Sequence, residues 1–297
     1  NNPLFINVVR VVLNSIHRQF ISSSPIRLII TADGTKKIKT GTHEHLRAGK
    51  ANPETIATYN EYLKKLKALV TTYEYFNTEI IIMKKRNGFA KNVNIALKTV
   101  TTPRVMIAQH DHVVVRNLEL AKICDAMETN SNIKYIGFNF SRVQNLVCST
   151  MQGKFFEDFK KRFNLKKICV TTYNDLLRNL YTNTFGLDII PVFHWYDRLH
   201  IGDTENYRKM FALRRINSNG TLGKLIIKNF MEDSLGEYIK NEVKKGGFNS
   251  HHKIGSYIYQ PDKNVFTLHM NGRHALSADY DTIISNLRKK LIPVIIK

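Results

Sequence analysis

Acidic residues are scarce in this chain: 24 Asp and Glu stand against 45 Lys and Arg over 297 residues, a formal charge of +21. A surface so biased either meets an acidic partner or is merely Lys-rich and solvated. The usual acidic partners are nucleic acid, an anionic membrane and a phosphate-bearing small molecule. Cysteine is sparse as well. Cys124, Cys148 and Cys169 are far apart, odd in number and form no C-x-x-C pair. That argues against a disulfide framework and a structural zinc site, and it fits a reducing, cytoplasmic compartment. No apolar run approaches the ~18 residues of a membrane span. Internal repeats and low-complexity linkers are absent too. Hydrophobic residues are not scarce: at 43%, with 10% aromatics, they suffice for a core and exclude a disordered chain. The chain begins Asn1-Asn2 without Met and reads as a piece of a longer protein.

Apolar periodicity sets out the elements. Phe5, Val8, Val9, Val12, Leu13, Ile16 and Phe20 recur at helical spacing. Ile26 to Thr31 reads as a buried strand ending in Ala32-Asp33-Gly34, and the polar stretch from Lys36 to Pro53 as a loop. A helix over Thr55 to Val70 precedes a second strand over Glu79 to Met83. After Asn87-Gly88 comes a helix over about Ala90 to Val100, then a strand over Arg104 to Ala108 ending in Gln109-His110-Asp111-His112. The second half is more mixed. It offers helices at Leu118 to Thr129, Phe155 to Phe163 and Ser234 to Val243. Strands are expected at Tyr135 to Phe140, Gly186 to Phe193, Ser256 to Gln260 and Val265 to Met270.

Helix–strand alternation of this kind predicts an α/β fold with a mixed, mostly parallel central sheet and helices on both faces. Ligands in such sheets sit beyond the carboxyl ends of the strands. Asp33, Asn87 and Asp111 all fall just past strand ends, which predicts one polar rim. The economical organisation is a single domain, 1–297, with a binding half over 1–115 and a second half over 116–297.

Four constellations carry possible chemistry. His110-Asp111-His112 places a carboxylate between imidazoles, a set suited to Mg²⁺ or Mn²⁺ or, more plainly, to a polar turn that caps backbone groups. Asn87-Gly88-Phe89-Ala90-Lys91-Asn92-Val93-Asn94 combines a sharp turn, a helix start and a cation, which suits an anion or simply an ordinary capped helix. Glu232-Asp233 at a helix start can hold a general base or merely complement the dipole. His269, within Phe266-Thr267-Leu268-His269-Met270, is either a core residue or a ligand beside Asn271-Gly272-Arg273-His274.

The order of these elements resembles the GT-A glycosyltransferases, family 2 type, over Ile26 to about Asp111 and again around Glu232-Asp233 and Val265 to Arg273. The stretch from about Cys124 to Lys228 carries no signature of that family. The Asn- and Lys-rich composition hints at a large DNA virus or a microbial eukaryote. The resemblance implies transfer of a sugar from a nucleotide-diphosphate donor, UDP-sugar favoured, to a hydroxyl of a glycan or glycoprotein acceptor. It implies inversion by direct displacement and dependence on Mn²⁺ or Mg²⁺. Asp33, Asn87, Lys91, Asn94 and His110 then fall on the donor site, Asp111, His112 and His269 on the metal, and Asp233, with Glu232 second, on the catalytic base.

Gln109 departs from the family's D-x-D by replacing its first carboxylate, which keeps a catalytically dead sugar-binding relative in play. His194, Trp195, Tyr196 and Asp197 are candidates for the acceptor side or for the core. Peripheral membrane contact fits the charge. A nucleic-acid module lacks a recognisable signature, despite Lys160-Lys161-Arg162, Lys166-Lys167 and Lys244-Lys245. A nucleotidyltransferase would carry a glycine-rich, Arg-containing loop after the first strand, and Ala32-Asp33-Gly34-Thr35-Lys36-Lys37 is poor in glycine.

Overall fold

The computed structural model describes residues 5–20, 26–40, 42–44, 49–139, 150–216, 222–224, 231–262 and 265–270. They form two compact units, drawn from 1–98, 110–115 and 268–297 and from 99–109 and 116–267. The α/β character expected from the sequence is present in both.

In the first unit, α1 (Phe5–His17) buries Ile6, Val9 and Leu13 against Leu66, Leu69 and Val70 of α2 (Pro53–Val70). Leu28 and Ile30 of β1 (Ile26–Ala32) and Ile80 of β4 (Phe76–Ile82) pack on this cluster. Pro53 at the first helical position and the Asn52 side chain, which accepts from Thr55 N–H at 2.8 Å, start α2. β1 and β4 pair in parallel from Ile26 opposite Phe76 to Ala32 opposite Ile82, so the two strands end side by side. Within the expected loop, β2 (Lys36–Lys37) pairs in parallel with β3 (Lys50–Ala51). The helix α3 (Phe89–Leu97) follows β4, and β6 (His112–Val114) pairs with β13 (Thr267–His269).

The second unit holds the largest sheet, in the order β5 (Arg104–Ile107), β9 (His200–Asp203), β7 (Tyr135–Phe138), β12 (Ser256–Tyr259), β8 (Ile189–Pro191). Only β7 and β12 run parallel; the other three pairings are antiparallel. The expected mostly parallel central sheet is therefore corrected to a mixed, mainly antiparallel one. The reason is physical: an apolar run reports that a strand is buried, not which way it points. Here β9 enters through the irregular stretch 192–199 instead of a helical crossover, and so runs against both its neighbours.

Around this sheet lie α4 (Leu120–Thr129), α5 (Gly153–Arg162), α6 (Val170–Phe185), α7 (Thr204–Phe211) and α8 (Glu237–Ile254). A small antiparallel pair joins β10 (Arg214–Ile216) to β11 (Leu222–Lys224). The core is strongly aromatic, with Phe138, Phe155, Phe159, Tyr173, Trp195 and Tyr257 fully enclosed. α6 is not among the helices expected from the sequence, although its buried Tyr173, Leu177 and Tyr181 recur every four residues. Among the described residues no helix is long and apolar enough to cross a membrane.

Candidate functional site

Strand pairing assembles the first cluster from residues 158 positions apart in sequence. β6 begins at His112 and β13 ends at His269, and the Met270 N–H donates to the Asp111 carbonyl at 2.7 Å. His269 Nε2 lies 3.1 Å from Asp111 Oδ2. The His112 and His269 rings meet edge to face with centroids 5.2 Å apart. One ligand atom from each of Asp111, His112 and His269 falls within 4.8 Å of the others. His112 is buried, Asp111 half-buried and His269 exposed.

Asp111 Oδ1 is buried and has no hydrogen-bond partner among the described residues. A buried carboxylate oxygen left in this state costs about 1–3 kcal/mol or more, which a divalent cation would recover. Two imidazoles with one carboxylate suit Mn²⁺, Fe²⁺, Co²⁺ or Zn²⁺ better than Ca²⁺, which takes oxygen ligands. The residues thus fit a divalent cation. His110, next in sequence, is exposed.

A second cluster lies where β1 and β4 end. Both Asp33 carboxylate oxygens are engaged, one by the Asn87 N–H at 2.7 Å and the other by the Gly88 N–H at 3.0 Å. The Tyr59 hydroxyl donates to the Asp33 carbonyl. Asp33 therefore clamps the loop before α3. Gly88, at φ +80°, ψ 166°, takes a backbone conformation open in practice to glycine alone, and it starts α3 without any side-chain cap. Lys91 on the first turn is exposed and Asn94 half-buried, and neither side chain has a polar partner among the described residues. The next side chain, Asn92, is buried with its Oδ1 unpartnered among the described residues.

The third cluster belongs to the second unit. Residues Glu232–Gly236 form a π-turn, in which the Gly236 N–H reaches the Met231 carbonyl at 3.0 Å, and it runs directly into α8. Such single π-turns are frequent at functional positions. Asp197, 3% exposed, accepts from the Met231 N–H at 3.2 Å with each carboxylate oxygen, and its own N–H donates to Glu232 Oε1 at 3.0 Å. Gln109 Nε2 donates to the Asp197 carbonyl at 2.9 Å. Gln109 is thus tied to the loop that bears Asp197.

The His194 ring lies over Gly236, where a Cβ would come within 2.3 Å of it. Only glycine admits this contact. Burial holds the His194 imidazole below its ordinary pKa, opposed by the nearby Glu232 and Glu237, and burial pushes Tyr196 up to about 12. Both groups are therefore neutral near pH 7.

Of the residues singled out by the sequence, the fold brings together Asp33 with Asn87, Asp111 with His112 and His269, and Glu232 with Asp197. Asp233 occupies the π-turn. Trp195 is a core residue: fully enclosed, it donates from Nε1 to the Tyr207 hydroxyl at 2.8 Å, whereas His194 and Tyr196 are half-buried. Asn271 to His274 lie outside the described residues. The coupling of Gln109 and Asp197 to the Glu232 turn left no trace in sequence, because it links positions 34 to 88 residues apart. No protein-family model matches the chain, and no curated protein sequence matches it.

Proposed function

We propose that this chain is a GT-A-type glycosyltransferase that moves a sugar from a nucleotide-diphosphate donor to a hydroxyl of a glycan or glycoprotein acceptor, with inversion. The observation that carries the reading is the meeting of Asp111, the strand-end carboxylate, with the late His269 and with His112 in a donor set that fits a divalent cation. The parallel β1–β4 pair, with its ends clamped by Asp33 to the glycine turn before α3, supports a donor site there.

The chemistry asks for these groups. A divalent cation, Mn²⁺ or Mg²⁺, would supply positive charge against a departing diphosphate. Asp111, His112 and His269 would hold it. Lys91 on the first turn of α3 adds a mobile positive charge for phosphate oxygens, and the helix start offers backbone N–H groups to the same anion. Asp233, with Glu232 second, would accept the proton of the acceptor hydroxyl as it attacks the anomeric carbon. Glu232, held by the Asp197 N–H, fixes the turn that carries both carboxylates.

Gln109 favours a second reading, a sugar-nucleotide-binding protein without turnover, because its amide is committed to the Asp197 carbonyl. Metal binding tests what the two readings share. Calorimetric titration is expected to show one Mn²⁺ per chain, and Asp111→Asn to weaken it by tenfold or more. Ca²⁺ should bind worse than Mn²⁺ to a site with two imidazoles. Equal Mn²⁺ binding by wild type and Asp111→Asn would remove this cluster from the metal role.

A further inference from the structure

The turn between α5 and α6 concentrates cations in a way the proposed donor chemistry does not use. From Lys160 to Val170 the sequence holds five Lys and Arg and no acidic residue. Lys160 pairs with Glu157 at 2.8 Å, but Lys161, Arg162, Lys166 and Lys167 are exposed and have no ion pair among the described residues. Elsewhere Arg104 pairs with Asp203 and Lys154 with Asp158.

The turn is built, too. The Leu165 N–H reaches back to the Lys160 carbonyl at 2.8 Å and the Asn164 N–H to Lys161 at 3.3 Å, with Asn164 at φ +52°. This hydrogen-bonded stop to α5 fixes where the following lysines lie. At its far end stands Val170, 38% exposed, one of the two exposed large hydrophobic residues among those described.

We infer that this turn is a docking surface for an anionic phospholipid membrane, with Lys161, Arg162, Lys166 and Lys167 meeting headgroup phosphates and Val170 entering the interface. Two independent observations favour lipid over nucleic acid. An exposed aliphatic side chain finds no partner on a sugar–phosphate backbone but does find one among acyl chains. The one aromatic ring of the turn, Phe163, is half-buried and packs at a 36° tilt against Phe159 with centroids 4.7 Å apart, so it is not presented as a free stacking platform for a base. The surface does not depend on sugar transfer and stands or falls separately from it.

Vesicle co-sedimentation of the full chain tests the inference. Wild type is expected to sediment with phosphatidylcholine–phosphatidylserine vesicles, not with phosphatidylcholine alone, and to be released by salt. Replacing Lys161, Arg162, Lys166 and Lys167 with Gln should weaken partition by several hundred-fold, at about fivefold per cation. Val170→Ser, at unchanged charge, should weaken it by about threefold. A control with the same charge loss at exposed Lys64, Lys65, Lys67 and Lys98, none of them in the turn, should lose less than about threefold. Equal losses in the two fourfold variants, or no wild-type binding to phosphatidylserine vesicles, would overturn the surface. So would an RNA oligonucleotide whose binding follows the turn variants while vesicle binding does not.

Discussion

Asp233→Ala is expected to lower sugar transfer by about 10²–10⁴-fold, the usual worth of a positioned general base, while leaving donor affinity within about twofold. An acceptor hydroxyl is a poor nucleophile at neutral pH, and Asp233 is the first choice to take its proton, with Glu232 second. Glu232→Gln should cost less, because an amide oxygen still accepts from the Asp197 N–H and keeps the turn in place. A turnover assay with radiolabelled donor, run alongside a donor-binding measurement, separates the two roles. If Asp233→Ala turns over at the wild-type rate, the base lies elsewhere. If Glu232→Gln falls further than Asp233→Ala, the two carboxylates exchange places.

Acid should destabilise the second unit through two buried histidines, His200 and His251. His200 is fully buried, and its hydrogen bonds define its tautomer. Nδ1 faces the Arg198 carbonyl, which only accepts, so Nδ1 carries the proton and Nε2 accepts from the Tyr207 hydroxyl. The Tyr207 oxygen in turn accepts from Trp195 Nε1–H at 2.8 Å. A second proton on His200 would turn Nε2 into a donor aimed at that same oxygen and break the chain. His251 is fully buried as well, donating from Nε2 to the Ser256 carbonyl at 2.9 Å, with Nδ1 unpartnered among the described residues.

Burial, the largest cause in each case, brings both imidazoles down to about 4, while in the unfolded chain each titrates near its ordinary 6.5. Between these values the unfolded state binds up to two more protons than the folded one, so stability rises with pH there and falls as pH drops from about 6.5 towards 4. The limiting slope is about 2.7 kcal/mol per pH unit, a few kcal/mol in all and comparable with the stability of an ordinary domain. Above about pH 7.5 these two groups contribute no slope. Urea melts from pH 7.5 to 4.5 check this: wild type should lose stability steeply below pH 6.5. His251→Asn should be weaker at neutral pH yet flatter in acid. A flat wild-type profile across that window would contradict the buried neutral pair.

Much of the first unit was legible because its signals are local. Helical spacing from Phe5 to Ile16, the helix expected over Thr55 to Val70 and the apolar strands before Asp33 and Asn87 are each short-range patterns, although α2 in fact starts two residues earlier, at Pro53. The metal candidates were legible as separate motifs, but their meeting depends on β6 pairing with β13. In the second unit, strand direction escaped the sequence, and so did α6, whose Thr- and Asn-rich exposed face dilutes its helical signal. Trp195 is ambiguous in sequence because an aromatic that stacks on sugars and one that fills a core are the same residue. Its hydrogen bond to Tyr207 places it in the core.

The donor is the centre of the account, and a thermal-shift panel of nucleoside-diphosphate sugars, each with and without Mn²⁺, tests it most directly. One donor, UDP-linked by expectation, should raise the melting temperature by roughly 5 °C or more near 100-fold saturation. The rise should shrink without Mn²⁺ and in Asp111→Asn. A panel that stays flat with every donor, in the presence and absence of Mn²⁺, would contradict the glycosyltransferase reading.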